Sequence, residues 1–405
     1  MATPATTLSF KDVLQIRAVK RLWIAQIVSV FGDFIALFAV LAYVTFTLHG
    51  TPTQVSMILV SFLTPLAIIS PIAGVFVDKW NVKLTMVGSD VIRGLLILSL
   101  VFVHNLNAIY AIFFVLAAVS AFFIPAQSVA VRTIAPAAGL MAVNGLMSQA
   151  VQGSQIIAPS VSGGLVQVIG ANACFLFDAL SFFFSAAMVM SLTIHREGAG
   201  APAPRSVLKS MSDGFRFIFT HSTISFVILS MTAGMFAVRC FGALLSVYVR
   251  DVLSSTSAAF GVLNTLIGIG MIVGTQSITR FAKHIPRQNL VVYGLSGMGV
   301  AVFFTAVFGR MLTTAIGMLG LGFGAAFIMV TSQTLLQQET PKDLLGRVTS
   351  ALMSLLAFSQ VIAMFMAGPV AEHAGIRSLY FGSAAMLLCI GIAGHSKLKG
   401  LAATA

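Results

Sequence analysis

Long apolar segments recur along the whole chain, and they restrict its fold more than any other feature. About twelve of them are long enough to cross the roughly 30 Å hydrocarbon core of a bilayer as helices. They are 22–48, 55–77, 84–103, 107–131, 140–168, 172–194, 222–249, 258–279, 289–308, 312–337, 347–370 and 376–396. Glycine, serine and threonine are frequent inside them, which favours closely packed helices over a barrel of short alternating strands. Because 58% of the residues are hydrophobic and 8% are charged, we predict an integral membrane protein.

The charges outside the apolar segments predict how the chain lies in the membrane. Of these lysines and arginines, 18 fall on one side of the predicted spans and 3 on the other. Cytoplasmic loops carry an excess of basic residues, so both termini are predicted to be cytoplasmic and the number of spans to be even. The net charge of +12 is therefore a topology signal and not a nucleic-acid-binding surface. We predict a multi-pass protein of the bacterial inner (plasma) membrane.

Several classes of function lack the residues that they need. All seven histidines lie in loops or at the ends of spans, and Cys174, Cys240 and Cys389 are widely separated, so we expect no metal site and no disulfide framework. The phosphate-binding pattern G-x-x-x-x-G-K-[ST] does not occur, which argues against ATP as the energy source. We find no reactive cysteine pair and no paired carboxylates at membrane depth. The sequence therefore predicts neither an enzyme nor a bound cofactor.

An internal repeat relates the two halves of the chain. Residues at equivalent positions lie 206 apart in three places: Asp33 and Arg239, Gln127 and Gln333, and the Leu-Met-Ser triplets at 146–148 and 352–354. The longest polar interruption, 195–220, falls between the halves and contains a flexible Gly-Ala-Pro stretch. We therefore predict an N-terminal six-helix bundle over 1–194, a cytoplasmic linker over 195–221, and a C-terminal six-helix bundle over 222–405. An even number of spans in each half makes the repeat parallel.

Asp33 and Arg239 are the most informative charges, because each lies inside an apolar segment. A charge in the middle of a span costs roughly 2.5–3.5 kcal/mol on insertion scales, so it is a hypothesis of function by default. Opposite charges at equivalent positions of a repeat predict a pair that faces a central pathway. Asp33 would take up a proton or a cationic group, while Arg239 would keep it ionised or bind an anionic group. The alternative is an inert ion pair that orders the helices.

The loop between the second and third spans contains Gly74, Asp78, Lys79 and Lys83. It resembles the signature of the major facilitator superfamily, G-x-x-x-D-[RK] followed by basic residues. The resemblance implies an all-α integral membrane fold of twelve transmembrane helices in two pseudo-symmetric six-helix bundles, which works by alternating access. It also implies that this loop is a cytoplasmic latch that does not contact substrate.

In the major facilitator fold the first, fourth, seventh and tenth spans line the cavity. Gln26 and Ser29 lie seven and four residues before Asp33, which places all three on one face of the first span. Thr232, Arg239 and Ser246 form a similar stripe at intervals of seven. The resemblance implies that these stripes meet at the cavity, where Gln127 and Gln333 join them.

Three further charged residues lie inside spans. Asp90 and Arg93 are three residues apart in the third span, near its cytoplasmic end, and we assign them to the latch network. Asp178 lies near the outer end of the sixth span, and we interpret it as structural.

The fifth span contains Gly153, Pro159, Gly163 and Gly164. It resembles the Gly/Pro-rich motif associated with exporters of the superfamily. Two departures are that Ala158 replaces the usual glycine before proline and that the glycine pair is one residue further on. The alternative is that a proline kink and small residues serve helix packing alone.

Two narrower resemblances bear on the substrate. Four stretches look like the branch that holds macrolide efflux proteins and the enterobactin exporter: 123–128, 175–182, 248–253 and 345–348. Shorter matches look like the bacterial lysophospholipid transporter: 31–33, 36–39, 144–147 and an arginine in the seventh span, Arg239. The sequence therefore predicts a monomeric secondary transporter that exports an amphiphilic molecule, such as a drug or siderophore, coupled to protons through Asp33. The alternative is a lysophospholipid transporter with Arg239 on the headgroup phosphate. Membrane lipids are the remaining predicted partner.

Overall fold

The computed structural model describes residues 8–194, 215–282, 285–341 and 344–403, and this part of the chain contains helices but no strand. The helices of the first half are α1 Phe10–Gln15, α2 Arg17–Ala42, α3 Pro52–Val77, α4 Val82–Ser99, α5 Leu106–Ile134, α6 Leu140–Ile169 and α7 Ala171–Met190. Those of the second half are α8 Ser222–Ala243, α9 Leu245–Asp251, α10 Ser257–Phe281, α11 Arg287–Phe308, α12 Met311–Glu339, α13 Leu345–Ala374 and α14 Ile376–Ala403.

The twelve predicted spans fall on the twelve long helices of the described chain, so the all-helical membrane fold is confirmed. By length and composition, 11 of the described helices can cross a membrane. The remaining long helix is α6, whose polar side chains include Asn144, Gln149 and Gln152. It is nevertheless anchored among apolar helices. The indole of Trp23 donates to Leu146 O (3.2 Å), and Ser162 Oγ donates to Ile35 O (2.8 Å).

The predicted seventh span, 222–249, is wrong in one respect, because it is not one continuous helix. Leu244 leaves the helical region, with φ −113° and ψ 11°, and separates α8 from α9. Apolar composition continues across this point, so hydropathy alone does not reveal the break. Most of the predicted linker, residues 195–214, lies outside the described residues, while 215–220 are helical.

The chain divides into two compact units by the packing of its helices. Unit 1 comprises Met1–Leu48, Ile58–Gly200 and Ser257–Gly261, and unit 2 comprises His49–Met57, Ala201–Thr256 and Val262–Ala405. Each has its own apolar core. The core of unit 1 includes Leu22, Met86 and Phe123, and the core of unit 2 includes Ile228, Leu295 and Leu352. These cores hold the helices that carry the charged residues described below.

Candidate functional site

Unit 1 brings together charged side chains from two spans that are far apart in sequence. Arg93 on α4 places Nη1 3.7 Å from Asp33 Oδ2 on α2, and its Nη2 donates to Asp90 Oδ1 one turn earlier on its own helix. The side chain of Arg93 is 4% exposed, that of Asp90 is fully buried, and that of Asp33 is 28% exposed. The ion pair therefore connects a buried arginine to a partly exposed carboxylate.

Arg93 is held from several sides. Its guanidinium carbon lies 4.3 Å from the ring centroids of both Phe123 on α5 and Phe182 on α7, a distance typical of cation–π attraction. The second oxygen of Asp90 accepts a hydrogen bond of 2.7 Å from Ser185 Oγ on α7. Because Asp90 is bonded through both oxygens, its charge is compensated despite its burial.

Asp178 on α7 is fully buried beside the same cluster. Its Oδ1 accepts from Ser181 Oγ at 3.1 Å, whereas Oδ2 has no hydrogen-bond partner among the described residues. A Cβ atom at Gly32 of α2 would overlap both Asp178 Oδ1 and Ser181 Oγ. Only glycine therefore lets the Asp178 carboxyl lie directly against α2, one residue before Asp33.

The polar stripe predicted on α2 continues away from Asp33. Gln26 and Ser29 are buried, at 7% and 2% exposed. The amide nitrogen of Gln127 on α5 donates to Gln26 Oε1, and Ser29 Oγ lies 3.5 Å from Gln26 O. The structure thus brings Gln26 and Gln127 together, as expected for the first and fourth spans.

In unit 2, Arg239 is exposed on α8 and its Nε donates to Gln360 Oε1 on α13 at 2.7 Å. Two turns before Arg239 the same helices are joined again, because Ser359 Oγ donates to Thr232 O at 3.4 Å. Gln333 is exposed on α12. The predicted stripe through Ser246 is interrupted, since Ser246 lies on α9 beyond the break at Leu244. The predicted pairing of Asp33 with Arg239 stays a prediction.

The predicted latch residues surround the turn between α3 and α4. Gly74 O accepts from Asp78 N at 3.0 Å as α3 ends, and Asp78 and Lys79 are exposed. Asn81 caps α4 by accepting from Leu84 N at 3.1 Å, which places Lys83 in the first turn. Arg93 lies further along α4 in the cluster with Asp33, and its assignment with Asp90 to the latch stays a prediction.

The fifth-span residues lie on α6, and Gly163 packs against the first turn of α10 within unit 1. Ser257 Oγ donates to Gly163 O at 3.1 Å, and a Cβ at Gly163 would overlap Ser257 O. A Cβ added at Gly153 or Gly164 would meet no atom within 4 Å, so these two glycines are not packed in the same way. The close backbone approach therefore depends on Gly163, next to the turn that contains Pro159.

Sequence reasoning missed the grouping of the carboxylates. Asp33, Asp90 and Asp178 lie on three helices, and no local spacing relates them. The sequence did contain one indication of this grouping. All three aspartates lie in predicted spans of the first half of the chain, and so does Arg93. Gln360, the partner of Arg239, was also not identified.

Known proteins similar to this chain are transporters. The family model of the Major Facilitator Superfamily matches residues 22–364. The MFS-type transporter YfiS of Bacillus subtilis (strain 168) is 25% identical over 383 residues, which cover 91% of this chain and 90% of YfiS. Macrolide efflux protein A of Streptococcus pyogenes is 23% identical over 384 residues, which cover 92% of this chain and 93% of that protein. The crystal structure of the nucleoside transporter NupG has a TM-score of 0.77 at 14% identity, covering 94% of this chain and 99% of NupG. The last similarity concerns the fold alone. The predicted resemblance to this superfamily and to macrolide efflux proteins is confirmed.

Proposed function

The chain belongs to the Major Facilitator Superfamily, and we propose that this multi-pass membrane transporter exports an amphiphilic small molecule in exchange for protons. Its similarity to macrolide efflux protein A supports an export direction and a bulky, partly apolar substrate such as a drug or a siderophore. The exporter is a monomer of the bacterial inner membrane with both termini in the cytoplasm, in keeping with the basic residues of its loops.

The observation that carries the proposal is the partly exposed carboxylate of Asp33 beside the buried guanidinium of Arg93, at 3.7 Å. A carboxylate inside a span is costly, so its presence there supports a functional role. Asp33 can be neutralised by a proton or by a cationic group of the substrate, but not by both at once. Competition between proton and substrate for one carboxylate links the two fluxes, while Arg93 stabilises the charged form after both have left.

The polar residues near Asp33 have supporting roles in this proposal. Gln26, Ser29 and Gln127 offer neutral hydrogen-bonding groups on the same face of α2 and on α5. In the second half, Gln333 is exposed on α12. In this proposal the half-buried Gln127 would bind a polar part of an amphiphile without fixing its charge, while the buried Gln26 holds Gln127 in place.

A second candidate function is the movement of a lysophospholipid. It is favoured by Arg239, which is exposed on α8 and bonded to the neutral side chain of Gln360. No carboxylate among the described residues of unit 2 forms an ion pair with it. A guanidinium of this kind binds a phosphate oxygen by charge-assisted hydrogen bonds. This mechanism needs no proton gradient.

A thermal-shift panel on the purified full-length protein in detergent separates the two candidates. The ligands are lipophilic cations, macrolides, catechol siderophores and lysophospholipids. A ligand that binds the folded state stabilises it by about 2.7 kcal/mol at a hundredfold excess over Kd. We expect cations or macrolides to raise the melting temperature of the wild type and of the control Asp251→Asn, but not of Asp33→Asn.

The opposite pattern would reverse the assignment. Stabilisation by lysophospholipid that is lost in Arg239→Gln, and retained in Asp33→Asn, identifies a lysophospholipid transporter. Export assays in vesicles with and without an imposed pH gradient then test the coupling. Export that is equally fast in both conditions contradicts proton exchange.

A further inference from the structure

We propose that Asp178 is a second proton-binding residue, which exchanges a proton with Asp33 inside unit 1. The transported proton then occupies a site of two carboxyl groups, one partly exposed and one fully buried. This inference rests on the proposed coupling to protons, and it assigns to Asp178 a role that its sequence context did not indicate.

Charge balance in unit 1 is the first argument. Arg93 is bonded to Asp90 and lies 3.7 Å from Asp33, and its Nε has no hydrogen-bond partner among the described residues. Asp178 forms no ion pair among the described residues, so three carboxyl groups share one counter-charge. A buried carboxylate without a counter-charge is so costly that it takes up a proton instead. At least one of the three carboxyl groups is therefore expected to carry a proton, and Asp178 is the one without an ion pair among the described residues.

The hydrogen bonds of Asp178 show where that proton would reside. Asp178 is fully buried, and Ser181 Oγ donates to Oδ1 at 3.1 Å. No donor among the described residues reaches Oδ2. A negatively charged Oδ2 without a hydrogen-bond donor would be unfavourable. We therefore place the proton on Oδ2.

Asp178 lies against α2 beside Asp33; no hydrogen bond joins the two carboxyl groups in the described structure, so exchange between them needs a side-chain rotation or a bridging water. Gly32, the residue before Asp33, has no side chain, and its Cα faces Asp178 Oδ1 and Ser181 Oγ. In the exchange the O–H bond of Asp33 breaks and an O–H bond forms on Asp178. The negative charge moves from the buried carboxyl to Asp33, where Arg93 stabilises it. Atoms and charge are conserved, and no further reactant is needed.

The groups that face Asp178 are few. They are Asp33 from α2 and Arg93 from α4, while α6 carries no charged or titratable side chain. Cys174 is the other titratable group of α7, one turn before Asp178. Among the described residues no group of three or more acidic, histidine or cysteine side chains has the geometry to hold a metal ion. The cluster therefore suits a proton better than a metal cation.

The second half of the chain shows that packing of the kind seen between α4 and α7 does not itself require charged residues. At the offset of 206 residues, Arg93 corresponds to Gly299 and Asp178 to Ala384. Gly299 on α11 packs against α14 so closely that a Cβ would lie 3.2 Å from Ala384 O. Small residues thus join the equivalent helices of unit 2. The helices of unit 1 therefore do not need these charges in order to pack. This favours a functional role for the charges over a structural one.

Infrared difference spectroscopy of the full-length protein in lipid, titrated with acid and base, tests the proposal. A protonated carboxyl group has a carbonyl stretching band that the carboxylate lacks. We expect a band that titrates in the wild type and in the control Asp251→Asn, that is lost in Asp178→Asn, and that persists with a shifted midpoint in Asp33→Asn. A band that is unchanged in Asp178→Asn, or that is lost only in Asp33→Asn, overturns the proposal.

Two conservative variants keep the test decisive if Asp178→Asn does not fold. Ser181→Ala removes the donor to Oδ1 without removing a charge, and Asp178→Glu keeps the acid on a longer chain. Each should shift the band, and an unshifted band in both contradicts the proposal. The measurement needs neither a substrate nor a gradient. A band assigned to Asp178 in a protein whose export ignores the pH gradient would refute the proposed coupling and leave the proton site intact.

Discussion

Arg93 Nη1 lies 3.7 Å from Asp33 Oδ2, so the acid in the first span has a basic partner within its own unit. The pair joins α4 to α2, and Asp90 and the rings of Phe123 and Phe182 hold the arginine in place. Because Asp33 is the more exposed member, its charge can change while Arg93 stays fixed. This relationship determines the first two predictions.

We expect the charge exchange Asp33→Arg with Arg239→Asp to be inactive, like each single variant. The new guanidinium would face Arg93, and like charges at this distance repel in a medium of low dielectric constant. Export from cells or vesicles measures the outcome. Recovery of export in the double variant would show that Arg239, and not Arg93, is the functional counter-charge of Asp33.

Arg93→Gln should destabilise the protein far more than Arg239→Gln. Removing one partner of a buried ion pair costs about 3–5 kcal/mol, because the other charge stays buried. Arg239 is exposed and loses mainly its bond to Gln360, which corresponds to about 1 kcal/mol. Unfolding by SDS titration in mixed micelles gives both values. Similar losses in the two variants would contradict the structural difference between the arginines.

Gly163→Ala and Gly164→Ala form a matched pair on α6. The first places a Cβ against the backbone oxygen of Ser257, and overpacking of this kind costs about 1–3 kcal/mol. The second has no atom within 4 Å, and replacing a helical glycine with alanine stabilises by up to about 1 kcal/mol. Melting temperatures should therefore move in opposite directions. A stable Gly163→Ala variant would mean that this contact is not needed for folding.

The start of α1 should loosen on acidification. Ser9 Oγ donates to Asp12 Oδ2 at 2.7 Å, and Ser9 N donates to the same oxygen at 2.9 Å. The Ser9 hydroxyl, more than the backbone bond, lowers the pKa of Asp12 below its ordinary value. A lowered folded-state pKa means that this stabilisation is complete above the unfolded-state pKa and is lost as pH falls through the folded-state pKa.

Hydrogen exchange of the α1 amides, corrected for intrinsic rates, measures this loss of the cap. In Asp12→Asn the protection of these amides should no longer depend on pH in the acidic range. Protection in the wild type that stays constant on acidification would show that the cap does not hold α1. In that case the burial of Val13 would be the main contact that holds α1 in place.

Hydropathy predicted which segments form the long helices, but not every detail of them. The break at Leu244 went unseen because the residues on both sides remain apolar. The helix α6 was predicted from the apolar segment 140–168, although it is outside the 11 helices that length and composition select. Boundaries and breaks depend on local backbone geometry, which apolar composition does not report.

The sequence by itself determined that this chain is a helical membrane protein, and it predicted two repeated halves and Asp33 as a site residue. It could do so because the free energy of transferring a residue into hydrocarbon depends on that residue and its near neighbours. Only the tertiary structure decided that Asp33 faces Arg93, and that Asp178 lies against Gly32. Those contacts join helices far apart in the chain, so they depend on how the helices pack and not on any local spacing.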